Sequence, residues 1–358
     1  MSRRGTRQLG WSSSRPTIND VAALSGVSKT TVSNVLRGSG RASDATRRRV
    51  LDLAHSLGYR PNGLARNLVR RRSDTIGVVV GDLANTFYAE LVKLLERRAS
   101  DEAYTTMVCN TDGTPGFEAA RIEALLERAV SGVVMLQFGG DQGVLDALRV
   151  AQVPVVIVSC WEERADCVAV DDHAGMALAV DHLLALGHRR IAYASGPLVE
   201  EATHLARFAG YEHRMRSEAL RPEQIDNGLW DEAACGSPRA LRDLVLGEDG
   251  VTAIAVANDL TAVRLMDALE VAELRVPGDV SVVGFDGIDL GAHSRIGLTT
   301  VAQPRGELAE RGLDLLVARM TGEADPGVVH QVRLAPTLVP RRSSAAAPRR
   351  STAGGRSR

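Results

Sequence analysis

Residues 17–36 read Thr17-Ile-Asn-Asp-Val-Ala-Ala-Leu-Ser-Gly-Val-Ser-Lys-Thr-Thr-Val-Ser-Asn-Val-Leu36, and their spacing decides the fold of the front of the chain. Thr17 is placed to cap a helix, with Asp20 three residues on in a capping-box position. Val21, Ala22 and Leu24 supply its apolar face. Ser25-Gly26-Val27 breaks it, and Gly26 suits a turn that needs positive φ. Ser28 then caps a second helix that turns Val32, Val35 and Leu36 inward. Ser28, Lys29, Thr30, Thr31, Ser33 and Asn34 are left outside. These are short or polar groups able to meet phosphates and base edges. Two helices joined by so tight a turn predict a helix-turn-helix whose second helix enters the major groove. A small helical bundle with a polar face shares the pattern.

On the C-terminal side, Ser43 or Asp44 begins a third helix with Val50, Leu53, Ala54 and Leu57 inward and Gly58 closing it. After Tyr59-Arg60-Pro61 comes Asn62-Gly-Leu-Ala-Arg-Asn-Leu68, then Arg70, Arg71 and Arg72. A helix capped by Asn62 and weakened by Gly63 is too short to hold alone in water. A marginal basic helix between two domains suits folding on DNA, where an apolar side chain wedges into the minor groove. On the N-terminal side, residues 1–16 are basic and serine-rich and are expected to be disordered.

From Thr75 the texture changes. Apolar runs recur at Ile76–Val80, Thr105–Cys109, Gly132–Leu136, Val153–Val158, Arg190–Ala194, Ala253–Ala257 and Val280–Phe285. Helical patterns separate them at Tyr88–Asp101, Phe117–Ala129, His173–Leu186, Leu205–Ala219 and Leu260–Glu270. Fully apolar strands alternating with helices predict parallel sheets covered on both faces. The strands are too many for one comfortable sheet, so two α/β lobes are expected, with a ligand cleft beyond the carboxyl ends of the strands.

Charge supports the division. The whole chain has a net charge of −1, yet residues 1–72 hold only Asp20, Asp44 and Asp52 against many arginines. A basic head on a neutral-to-acidic body predicts a polyanion-binding module joined to something else. No apolar run approaches the ~20 residues of a membrane span, and the basic N-terminus lacks the apolar stretch of a signal peptide. A cytoplasmic, nucleoid-associated protein is expected. Cys109, Cys160, Cys167 and Cys235 stand in no metal-ligand spacing, so no metal is expected.

These residues carry a resemblance. T-I-N-D-V-A-x-x-S-G-V-S-x-x-T-V-S, T-R-R-R-V and G-Y-R-P-N-x-L-A-R-x-L resemble the LacI/GalR family of bacterial regulators. Similar motifs continue through I-G-V-V-V, L-L-x-L-G-H-R-R-I-A at 183–192, G-P-L at 196–198, R-F-A-G-Y at 207–211, A-N-D at 257–259, V-P-G-D-V-S-V-V-G-F-D at 276–286 and L-T-T-V-x-Q-P at 298–304. The resemblance covers residues 17–340. It implies an N-terminal all-α helix-turn-helix domain and a two-lobed α/β core like periplasmic binding proteins. It also implies a homodimer on double-stranded operator DNA and a hinge helix that orders on it. Lys29, Thr30 and Asn34 would read bases, while Ser28, Thr31 and Ser33 would hold phosphates. The minor-groove hinge would be Leu64, Ala65, Arg66 and Leu68, with Leu68 the wedge. Many members carry Arg at the position of Asn34; Asn favours adenine where Arg favours guanine. The expected boundaries are 17–60 for the DNA-binding domain and 61–74 for the hinge and linker. Lobe 1 is expected at about 75–171 and 303–325, lobe 2 at about 172–302 and 326–340, and a disordered tail at 341–358.

Polar and aromatic residues just after strand ends are the candidates for an effector site. Asn85, Phe87 and Tyr88 follow the first strand, Asn258 follows Ala253–Val256, and Asp286 follows Val282–Phe285. Arg207 opens a helix after Gly196-Pro-Leu, and Trp230 follows an apolar stretch. Asp286 and Arg207 would anchor hydroxyls or a polar edge; Trp230 and Phe87 would lend flat faces to a sugar ring or, alternatively, a nucleoside or base. Thr203, Arg305 and Ser159 are further candidates. By the resemblance, Glu201 stands near a loop where some members carry a basic or neutral residue, which argues against an anionic ligand and for a neutral or amino-bearing one. Each also has a plain structural reading: Asn85, Asn258 and Asp286 as helix caps, Phe87 and Trp230 as core, Arg207 as one half of an ion pair.

A solute-binding protein without a DNA role is the main alternative, and the basic helix-turn-helix stands against it. An enzyme is not expected, and no cofactor: nucleotide-binding glycine patterns are missing after the early strands. His182 and His188 lack a partnered nucleophile, and His188 reads as a cap near a helix C-terminus.

Overall fold

The computed structural model describes residues 16–36, 38–59, 73–114, 116–195, 202–225 and 237–348. The chain divides into two compact units, residues 1–72 and 73–358. The hinge residues Leu64, Ala65, Arg66 and Leu68 lie outside the described residues, as do Trp230 and Glu201.

In the first unit, helices α1 (Ile18–Ser25), α2 (Lys29–Leu36) and α3 (Asp44–Ser56) enclose Val21, Val32, Val35, Val50 and Ala54. The Thr17 backbone N–H donates to Asp20 Oδ2 at 2.7 Å and its hydroxyl to the same oxygen at 2.8 Å, which holds the Asp20 carboxyl below its ordinary value. Gly26 ends α1 at φ 67°. Ser28 Oγ accepts from Thr31 N, and Ser43 Oγ accepts from Thr46 N. Leu24 is a correction: it is 60% exposed. The inward stripe of α1 runs through Ile18, Val21, Ala22 and Ser25, at the i, i+3, i+4, i+7 spacing, and Leu24 falls off it.

Among its described residues, the second unit is built on two six-stranded sheets. In lobe 1, β1 (Thr75–Val80) lies between β2 (Thr105–Asn110) and β3 (Gly132–Leu136), with Val78 opposite both Val108 and Val134. Beyond β3 come β4 (Val155–Val158), β5 (Asp166–Val170) and β11 (Gln331–Leu334), all parallel. In lobe 2, β6 (Ile191–Ala194) pairs with β7 (Glu223–Ile225) and with β8 (Ala253–Val256). The sheet continues through β9 (Ser281–Asp286) and β10 (Thr299–Ala302), also parallel, and ends on β12 (Thr337–Val339), antiparallel to β10. Most interior strands are buried throughout, as parallel strands covered on both faces must be.

The covering helices are α4 (Thr86–Asp101), α5 (Phe117–Glu127) and α6 (Gln142–Val150) in lobe 1, and α7 (Asp172–Ala185), α8 (Ala202–Ser217), α9 (Pro238–Leu246) and α10 (Asp259–Val271) in lobe 2. Helix α11 (Arg305–Thr321) follows β10 and packs on the lobe 1 strands β3, β4 and β5. Helices α7 and α8 lie unusually close. A Cβ at Gly210 would come 2.2 Å from the His173 carbonyl oxygen, so the glycine of R-F-A-G-Y is what permits the approach. Among the described residues no helix is long and apolar enough to cross a membrane.

Three expectations need correction. The span 326–340 is not wholly in lobe 2, because Gln331–Leu334 pairs with β5 and extends the lobe 1 sheet. The chain therefore passes between lobes three times, after β5, after β10 and after β11. The tail does not begin at 341. Ser343 is 1% exposed, its hydroxyl donates to Val282 O at 2.6 Å, and its oxygen accepts from Thr299 N at 2.8 Å. Short polar residues that read as low complexity are here bonded along β9 and β10. His188 is not an exposed helix cap. Its buried ring joins Thr252 Oγ1 and Ala345 O, each at 2.9 Å.

Candidate effector site and DNA-binding face

The carboxyl ends of β6, β8 and β9 open toward the N-termini of α8 and α10, and Arg207 sits among them, 4% exposed. Its Nε donates to Asp172 Oδ1 at 2.8 Å and an Nη1 hydrogen goes to Ala257 O at 2.7 Å. Nη1 lies 3.5 Å from Asp286 Oδ1, and the guanidinium stacks 3.8 Å above the Phe285 ring. Burial alone would lower the Arg207 pKa, but Asp172 and Asp286 outweigh it and keep the cation. Burial pushes the Asp172 carboxyl up, and the Arg207 charge and hydrogen bond pull it back.

Asp286 ends β9 at φ 120°, a backbone region a side chain seldom adopts. Its Oδ1 accepts from Gln303 Nε2 at 2.8 Å. Beside it, Asp259 accepts from Gly287 N at 2.8 Å, Ile288 N at 2.9 Å and Thr300 Oγ1 at 2.6 Å. Asp259 thus braces the turn that sets Asp286. Burial raises both carboxyls, and the neighbouring Asp286 charge raises Asp259 further.

The other candidates divide. Thr203 lies one helical turn before Arg207 and is buried. Asn258 caps α10 by accepting from Thr261 N at 2.8 Å, next to the Ala257 carbonyl that Arg207 holds. In lobe 1, Asn85 caps α4 through Phe87 N. Phe87 is 2% exposed and part of the core, with Tyr88 edge-on at 5.2 Å. Ser159 is buried after β4 at φ 70°, its N–H donating to Val168 O. Arg305 pairs with Glu90 of α4 and with Asp289 of lobe 2 at 3.1 Å, so it ties the two lobes together. The structure thus brings Arg207, Asp286, Thr203 and Asn258 to one edge of lobe 2, while Phe87 goes to the lobe 1 core. Sequence reading missed Asp172, whose only local signal is an acid at a strand-to-helix junction, and noted Asp259 beside Asn258 in A-N-D at 257–259 without giving it a role.

Ser28, just before α2, and Lys29 and Thr30 in its first turn are exposed, and the partly buried Thr31, Ser33 and Asn34 flank the buried Val32 and Val35. Ser28 and Thr31 share a hydroxyl–hydroxyl bond at 2.9 Å. The Asn34 side chain lies against Gly40, and the Asn34 backbone carbonyl oxygen accepts from Ser39 N.

A helical unit with a polar recognition helix, carried on a two-lobed α/β core whose polar residues gather at strand ends, defines a ligand-responsive DNA-binding regulator. Comparison with known proteins names the family. Residues 17–62 match the profile of bacterial regulatory proteins, lacI family, and residues 180–344 that of the periplasmic binding protein-like domain. The chain is 33% identical over 332 residues to the ribose operon repressor of Escherichia coli (strain K12), covering 92% of this chain and 99% of that one. It is 32% identical to the HTH-type transcriptional repressor PurR of Photobacterium profundum, covering 91% and 98%. The lac repressor dimer bound to operator and the anti-inducer ONPF superposes with a TM-score of 0.78 at 28% identity, covering 93% of this chain and 100% of that one. The chain belongs to the LacI/GalR family of bacterial transcriptional regulators. It is a DNA-binding regulator with an effector-binding core, acting in the cytoplasm, and not an enzyme.

Proposed function

We propose that this chain is a homodimeric repressor, held on nucleoid DNA, whose operator affinity is set by an uncharged sugar or sugar derivative bound at Arg207 and Asp286. The observation that carries this reading is the charge balance of the site. The Arg207 cation faces two carboxylates, Asp172 and Asp286. Among the described residues around it no positive charge is left over for a phosphate or carboxylate ligand, whereas fixed donors and acceptors suit hydroxyls. Lys29, Thr30 and Asn34 read base edges, and Ser28, Thr31 and Ser33 hold phosphates. Leu64, Ala65, Arg66 and Leu68 fold into the minor groove, with Leu68 as the wedge. Trp230 offers its face to the sugar ring. The effector acts by its differential affinity for two lobe arrangements.

The test is thermal stabilisation of the full chain by sugars, polyols, nucleosides and bases, followed by operator retention with each stabilising compound. A compound at 100 times its dissociation constant adds ~2.7 kcal/mol. The expected result is a free sugar that both stabilises the protein and alters retention. Stabilisation by nucleosides or bases alone overturns the sugar reading. No preference for promoter fragments over random duplex overturns the DNA reading.

A further inference from the structure

Beneath the Arg207 site, three buried polar atoms have no hydrogen-bond partner among the described residues: Tyr193 Oη, Ser195 Oγ and His204 Nδ1. Buried polar groups are nearly always paired, because an unpaired one loses its water without return. Three in one neighbourhood call for a ligand.

Their positions follow from the fold. Tyr193 is on β6 and Ser195 directly follows that strand. With a side-chain period of two, both face the same side of the sheet, whereas Ala192 and Ala194 face the opposite core. The Tyr193 ring packs against Phe208 and Tyr211 of α8 at 5.3 and 5.4 Å. From Tyr193 to Ser195 the strand advances about 6.6 Å toward the cleft. From Phe208 back to His204 the helix retreats about one turn in the same direction. Ser195 and His204 therefore both fall toward the cleft end of the β6–α8 layer, and His204 lies close enough to Arg207 to feel its charge. Tyr193 and Ser195 are fully buried.

We propose that Tyr193, Ser195 and His204 form an uncharged polar floor under Arg207, which receives a hydroxyl-bearing, non-ionic part of the effector and sets the preference for free over phosphorylated sugars. This rests on the sugar reading above and deepens it. Burial, with the Arg207 charge adding to it, pushes the His204 imidazole down to about 4. It is neutral at physiological pH, one nitrogen donating and the other accepting, which matches an alcohol. Burial likewise keeps the Tyr193 phenol protonated. With no cation in the floor, an anionic group there would lose its hydration without a counter-charge.

The experiment is calorimetric titration of the full chain with free aldopentoses and aldohexoses, each beside its phosphate ester. Tyr193→Phe, Ser195→Ala, His204→Leu and His204→Asn are compared with wild type, and unliganded melting temperatures are recorded. For the sugar that binds wild type, the expected result is about tenfold weaker binding by the first three variants. Tyr193→Phe should melt no lower than wild type, because the oxygen it removes has no partner among the described residues. His204→Asn, which keeps a polar group near the Nδ1 position, should retain most of the affinity. The ester should bind wild type at least about tenfold more weakly than the free sugar. If wild type binds a free sugar and all variants bind it equally, ordered water fills the floor and the proposal is overturned, while the assignment at Arg207 stands. Equal binding of ester and free sugar also overturns it. If no uncharged sugar binds wild type, the sugar reading fails and takes the floor with it.

Discussion

Arg207 and Asp172 form an ion pair in which both side chains are almost wholly removed from water, 5% and 6% exposed, at an N–O distance of 2.8 Å. The pair joins α8 to the start of α7, the first residues of lobe 2 after the chain leaves β5. It fixes the guanidinium so that its other edge reaches Ala257 and Asp286.

Removing one partner of a buried pair leaves an uncompensated charge, which costs about 3–5 kcal/mol. Asp172→Ala should therefore lower the denaturation midpoint strongly and abolish the effector response. Asp172→Asn, which can still accept the Nε hydrogen, should be milder. Urea denaturation with and without effector checks both; an unchanged midpoint for Asp172→Ala would contradict the burial of the pair.

His204 gives a pH prediction with a definite sign. Its folded-state value is depressed to about 4 from an ordinary 6.5. The unfolded chain therefore takes up a proton that the folded chain refuses. The stability linked to this residue is complete above about 6.5 and is lost as pH falls toward 4. His204→Gln should flatten that slope by about one proton at most. Stability measured at steps between neutral and acid pH, wild type minus variant, isolates it from the buried carboxyls, whose raised values act in the opposite direction. Parallel curves would show that His204 titrates normally.

Glu90, Arg305 and Asp289 bind the two lobes in this arrangement. The Asp289 backbone N–H also reaches Glu90 Oε1 at 3.4 Å. Glu90→Gln weakens contacts specific to this degree of closure, and should shift effector affinity by about fivefold or more, the lower end of ordinary coupling. The same factor should appear in the effector's influence on operator binding. Titration calorimetry and operator competition measure the two sides of the cycle; effector affinity equal to wild type would remove the clamp from the mechanism.

Asn34 concerns the other unit. Asn34→Arg should move the half-site preference at one base pair from adenine to guanine, by about 1–3 kcal/mol. Competition among half-site variants reads this directly. A uniform loss over all sequences would assign Asn34 to the fold of the turn, where it already lies against Gly40.

Much of this protein was legible in local sequence because the signals are local. The Thr17–Asp20 capping box, the Gly26 turn and the Val32/Val35 stripe depend on neighbours within a helical turn, so α1 and α2 could be placed closely. Strands such as Gly132–Leu136 and Ala253–Val256 were legible because strands buried on both faces must be apolar throughout. Other elements lack such marks. β5 begins Asp166-Cys167, and Asp166 is bonded by Arg319, distant along the chain, at 2.6 and 2.8 Å. The span 341–348 reads as a polar tail because its partners, Val282, Thr299 and His188, are distant in sequence.

Sequence alone determined the two kinds of unit, the recognition helix and the strand end where Asp286 falls, whereas Arg207, expected to open a helix, lies in the second turn of α8. Only the tertiary structure decided that Asp172 neutralises Arg207, that Asp259 braces Asp286, and that Phe87 belongs to the core. The reason is electrostatic and steric: burial and charge pairing are properties of a three-dimensional neighbourhood, and strands that meet in these sheets are separated by dozens of residues along the chain.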